Sequence, residues 1–166
     1  MPQRAYVETT IFSYLAARPS GDLVTAAHQR VTAEWWSSAP TRYDLVASVV
    51  VLQEVRAGDP ALAERRTAFL GDLPLLGLTA ESRRLAKHLL TAGLLPPNST
   101  ADAEHVALAT VGAVDFLVTW NLRHLAGAVV RRRLENALRT LGFDPPTLCT
   151  PEELLADTSD AGGSDV

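Results

Sequence analysis

A single cysteine, Cys149, stands in 166 residues, so no internal disulfide and no Cys-rich zinc site can be assembled. That scarcity fits a reducing compartment, and the cytoplasm is the expected location. No stretch of roughly 18 apolar residues runs without charge, so no membrane span is expected. The first twenty residues carry Glu8 where a signal peptide needs an apolar run, and secretion is not expected either. Positive charge is short as well: 15 Lys and Arg against 19 Asp and Glu leave a formal charge of −4. A protein that grips nucleic acid by bulk attraction needs the opposite balance. Lysine is all but absent, Lys87 being the one copy among those basic residues. No G-x-G-x-x-G follows the first apolar segment and no P-loop occurs, which ranks nucleotide-binding and receiver-like α/β proteins low.

What is present is ordinary globular material. Apolar residues make up 47% and charged residues 20%, enough to build a core in one domain. Residues 4–8 read as a strand that runs straight into the helical spacing of Ile11, Tyr14 and Leu15. Asp22 can cap a second helix through about residue 37, stopped ahead of Pro40. Residues 43–50 form an apolar, β-branched run suited to a buried parallel strand, followed by a short helix ending at Gly58 and Pro60. Helices near 61–71 and 80–92 flank a short strand in LPLLGL, and another helix starts around Ala101. Residues 114–120 are a strong strand, a helix spans about 129–141, and TLCT supplies a last strand before helical EELLA. Strands alternating with helices predict a three-layer α/β/α domain with a mainly parallel central sheet over residues 1–155. Residues 156–166 are small, polar and acidic and are expected to form a flexible tail.

In open α/β sheets, ligands bind beyond the carboxyl ends of the strands. Four side chains fall there: Glu8 after the first strand, Glu54 on the helix after the second, Asp102 in a helical first turn, and Asn121 after the 114–120 strand. Pooled acids repel unless a proton or cation compensates, so such a group suits a hard divalent ion, Mg2+ or Mn2+. Taken singly, each acid is an ordinary cap or surface group. Ser99-x-x-Asp102 has capping-box spacing, and an acid there also favours the helix dipole. His105, three residues on, shares the Asp102 face and suits a buried hydrogen-bonding role. Arg131, Arg132 and Arg133 spread around their helix, and adjacent Trp35 and Trp36 point in different directions.

Taken in order, these strings resemble a known family. YVETTIFSYL is similar to the opening motif of PIN-domain nucleases, VVLQEVRAGD to the second motif with its Glu54, and ADAEHVALA to the third with its Asp102. DFLVTWN resembles the closing strand motif, with Asn121 standing where many members have an acid, and TLCTPEEL resembles the family's ending. The resemblance covers about residues 5–155. It implies a PIN-like fold and a VapC-type ribonuclease toxin in which Glu8, Glu54 and Asp102 are catalytic. Those three acids, with Asn121, would face Mg2+ or Mn2+, and the hydroxyls of Thr10 and Thr119 would orient a carboxylate or a water. An RNA substrate, a cognate antitoxin and a homodimer are implied in the same way. Two departures bear on activity: Glu8 replaces the usual Asp, and Asn121 removes a charge. Either one ion suffices or a second arrives with the substrate phosphate. The alternative is a PIN-like module that binds RNA or a protein without cutting.

Overall fold

The computed structural model describes residues 1–160. Its first strand, β1 (Gln3–Val7), lies at the centre of the sheet, and Ala5, Tyr6 and Val7 are fully buried because both faces are covered. Five strands, all parallel, follow the order β3-β2-β1-β4-β5, with β2 at Tyr43–Ser48, β3 at Leu75–Leu76, β4 at Phe116–Val118 and β5 at Thr147–Cys149. Helices α1 (Thr9–Ala16), α2 (Leu23–Arg42), α3 (Val49–Val55) and α4 (Pro60–Leu70) pack together through α1, and α8 (Pro151–Asp160) packs on α2. Helices α5 (Ala80–Thr91) and α6 (Thr100–Val111) form a second pair, and α7 (Ala128–Thr140) follows β4. The result is the expected α/β/α arrangement with a parallel sheet. No helix among the described residues is long and apolar enough to cross a membrane.

Several boundaries differ from the sequence reading, each for a local reason. Helix α2 does not stop near residue 37 but continues past Pro40 to Arg42. Pro40 lacks the N–H that would reach the Trp36 carbonyl, a loss tolerated in the final turn, and buried Trp35 and Ala39 hold that turn against the core. Strand β2 ends at Ser48, not Val50, because the Ser48 hydroxyl accepts the Val51 N–H and starts α3. Ser99 precedes α6 but makes no side-chain cap bond, so the capping box expected with Asp102 does not form. Residues 156–160 continue α8 instead of beginning a tail, and the remaining tail residues lie outside the described residues.

The 114–120 strand is also shorter than expected. After β4 the chain turns through one π-helical segment, Leu122–Ala126, in which the Ala126 N–H reaches five residues back to the Asn121 carbonyl at 2.9 Å. Asn121 therefore caps this turn and does not end a strand. Gly127 closes it, in a backbone conformation any residue can adopt, but a β-carbon there would fall on the Leu122 carbonyl oxygen. Space, not φ, makes glycine necessary. Gly127→Ala is expected to lower stability by about 1–3 kcal/mol, the usual cost of overpacking. Urea denaturation measures it, and a variant as stable as the parent would show that the turn relaxes freely.

Candidate functional site

The carboxyl ends of β1, β2 and β4 converge on one pocket, and β1 and β4 are where the connections diverge to opposite sides of the sheet. Glu8 follows β1 directly. Its N–H extends the β1–β4 ladder to the Val118 carbonyl at 3.1 Å, and its side chain caps α1. The carboxylate is 4% exposed, and Oε2 accepts from the Thr10 N–H at 3.0 Å, the Thr10 hydroxyl at 2.5 Å and the Thr119 hydroxyl at 2.8 Å. Each hydroxyl in turn accepts a backbone N–H from the segment after β4: Trp120 to Thr10 at 2.8 Å, and Asn121 to Thr119 at 2.9 Å. Both protons are thereby aimed at Glu8 and both lone pairs at the chain.

Glu54, half-buried on α3, places Oε1 against two donors, the Thr9 hydroxyl at 2.7 Å and His105 Nε2 at 2.6 Å. His105 is buried on α6 and also lies 3.9 Å from Glu8 Oε1. Glu8, Glu54 and His105 thus offer one ligand atom each, all within 4.8 Å of one another, a set that can hold a metal ion. Behind the imidazole, Nδ1 meets the Tyr6 hydroxyl at 2.7 Å, and that hydroxyl meets Ser48 Oγ at 2.7 Å. Burial pushes the Tyr6 phenol far up, so it stays protonated and serves as a fixed donor and acceptor.

Electrostatics link the group. Burial disfavours a charged His105, but the hydrogen bond from Glu54 and the charges of Glu8, Glu54 and Asp102 outweigh it and raise the imidazole pKa. Burial likewise works against a charged Glu54, and the His105 contact and Thr9 hydroxyl overcome it, lowering that carboxyl's pKa. The imidazolium therefore serves as an internal counter-ion between two acids. With His105 charged, Nδ1–H donates to the Tyr6 oxygen and the phenol proton passes to Ser48.

Asp102 stands outside this group. Its Oδ1 accepts from Asn121 Nδ2 at 3.0 Å and its Oδ2 from His124 Nδ1 at 2.9 Å. Asn121 Oδ1 takes the His124 N–H at 3.0 Å, which fixes the amide with its NH2 toward Asp102. The carboxylate connects to Glu8 only along the chain Asn121, Thr119, Glu8. So the structure gathers Glu8 and Glu54 around His105, puts Thr10 and Thr119 on Glu8, and pairs Asp102 with Asn121.

Four contributors escaped the sequence reading: Thr9, Tyr6, Ser48 and His124. Tyr6 and Ser48 carry a weak signal, being polar groups on strands whose neighbours are wholly apolar. Thr9 looks like any helix-start hydroxyl. His124 has no periodic signal because it lies in a π-turn. His105 is buried and hydrogen-bonded as expected, but its partner is Glu54 and not the Asp102 on its own helix.

No family model and no curated protein matches the chain. Among solved structures it resembles a chain of VapBC2 from Rickettsia felis, crystallised with a DNA fragment from the promoter, at a TM-score of 0.54. Identity is 16% over 89% of this chain and 96% of that one. A chain of VapBC-5 from Mycobacterium tuberculosis, a member of the VapBC family of toxin-antitoxin systems, gives a TM-score of 0.46 and 19% identity over 76% and 94% of the two chains. The first likeness shows a shared PIN-like fold, and the fold alone.

A pH dependence follows from the two shifts. His105, with its raised pKa, stabilises the fold below its ordinary value of 6.5 and loses that contribution as pH rises through the folded value. Glu54, with its lowered pKa, contributes above 4.5 and fades as pH falls through its folded value. In chelator-treated protein the urea midpoint of the parent should exceed that of His105→Gln most between those two values, and the gap should narrow toward pH 9. A gap that stays constant across this range would show that the imidazole is not charged in the fold.

Proposed function

We propose that the chain is a divalent-cation-dependent nuclease that hydrolyses RNA phosphodiester bonds, acting as the toxin of a toxin-antitoxin pair. One observation carries this reading: two acids from separate elements meet in a pocket at the carboxyl end of the sheet, each held rigidly by one oxygen and open at the other. Among the described residues, Glu8 Oε1 and Glu54 Oε2 accept no hydrogen bond. Oxygen atoms fixed in this way suit Mg2+ or Mn2+, which bind through carboxylates and retain several water ligands. The fold shared with a VapBC2 chain supports the toxin assignment and an antitoxin partner.

When bound between Glu8 and Glu54, the cation would neutralise charge building on the phosphate and make a water nucleophilic near neutral pH. The chain's own groups do the positioning. Thr10 and Thr119 hold Glu8 against rotation, Thr9 and His105 hold Glu54, and Tyr6 with Ser48 fixes the imidazole. His105 lends positive charge to the pocket while it is empty of cation and of phosphate. Asp102, oriented by Asn121 and His124, would face the substrate or its attacking water from the opposite side.

The test is cleavage of a long single-stranded RNA with Mn2+ by the parent beside Glu8→Gln and Glu54→Gln. Each variant should lose about 100-fold or more, beyond the 10–100-fold usual for groups that only orient a ligand. Thr119→Val, which removes one donor to Glu8, should fall within that smaller range. Equal cleavage by all four proteins would place the activity elsewhere. An intact, cation-binding parent that cuts nothing would favour the non-cleaving PIN-like module.

A further inference from the structure

The acidic pocket has two ends that differ in one chemical respect. At the Glu8–Glu54 end, each carboxylate keeps an oxygen without a donor, and the two acids share one imidazole. At the Asp102 end, both oxygens are taken, Oδ1 by Asn121 Nδ2 and Oδ2 by His124 Nδ1. A carboxylate saturated by N–H donors has its charge compensated and no lone pair left in the hydrogen-bonding direction for a metal.

Neither donor is free to turn away. The His124 N–H holds the Asn121 carbonyl oxygen, so the amide can only present its NH2 to Asp102. Because an ionised carboxylate only accepts, the proton facing it must sit on His124 Nδ1, which sets the tautomer. Both residues belong to the same π-turn and its cap, and Gly127 fixes where that turn closes. One short segment therefore delivers two N–H groups to one acid.

We infer that this chain by itself holds a single cation, between Glu8 and Glu54, and that Asn121 and His124 are positioning residues that keep Asp102 from binding a second. The inference rests on the cation reading proposed above and decides its stoichiometry. An acid at position 121 would reverse the situation: it cannot donate to Asp102, it repels it, and two facing carboxylates call for a cation between them. Replacing His124 as well leaves Asp102 with no donor, whereas His124→Asn keeps an N–H at about the Nδ1 position.

Calorimetric titration of the full chain with Mn2+, with protein-bound Mn2+ counted by electron paramagnetic resonance, tests this without reference to activity. The parent and His124→Asn should each bind one ion, and Glu8→Gln should bind none. Asn121→Asp and the Asn121→Asp/His124→Ala double variant, each shown to be folded by circular dichroism in chelator, should bind two. Two ions on the parent, or one ion on the folded double variant, would overturn the inference. No ion on the parent would remove both this inference and the cation reading. One ion on a parent that fails to cut RNA would instead sink the nuclease reading and leave the stoichiometry standing.

Discussion

Two carboxylates taken out of water beside each other repel, and the architecture of this pocket is a set of answers to that repulsion. Glu8 is 4% exposed, yet it stays acceptor to three donors on one oxygen. Glu54 takes a hydroxyl and an imidazole. The raised pKa of His105 is the local response to the charge that remains, a proton held where a harder cation would serve better. A buried polar network of this kind is favourable only when every member is satisfied. Tyr6 and Ser48, fully buried in the strands behind it, complete the imidazole's partners.

The same network explains why strand order matters to the site. β1 lies between β2 and β4, so residues just beyond its end can be reached from both neighbours. Thr119 comes from the β4 side, Ser48 and α3 from the β2 side, and Thr9 and Thr10 from the start of α1. Trp120 ties this junction to the helical layer as well. Its indole N–H donates to Thr32 at 2.7 Å, and its ring stacks on His28 with centroids 4.1 Å apart. Glu8 is thus held by chain segments that are themselves fixed by packing, the condition for a site kept rigid before any ligand arrives.

Much of this was legible in the residues. Alternating apolar runs and helical spacing marked a parallel sheet with helices on both faces, and the acids after the first two strands were identifiable from position alone. What sequence could not supply were contacts set by tertiary geometry. Ser99 has the spacing of a cap, but Asp102 turns to Asn121 and His124 instead. Pro40 reads as a helix stop, but buried Trp35 and Ala39 keep α2 going beyond it. His124 lies in a turn with no periodicity, so nothing in LRHLA distinguishes it from a surface histidine. Glu54 and His105 are 51 residues apart, and only the packing of α3 on α6 brings them together.

Asp102 illustrates the limit of reading acids as a pool. Its chemistry and place in the chain match those of Glu8 and Glu54, yet its two oxygens are committed to nitrogen donors and theirs are not. Which carboxylates can share an ion is decided by the donors already on them. Anomalous diffraction from crystals grown with Mn2+ measures that most directly. A peak about 2.1 Å from both Glu8 Oε1 and a Glu54 oxygen is predicted. A pocket without a peak, or an ion bound by Asp102 and not by the two glutamates, would contradict the account.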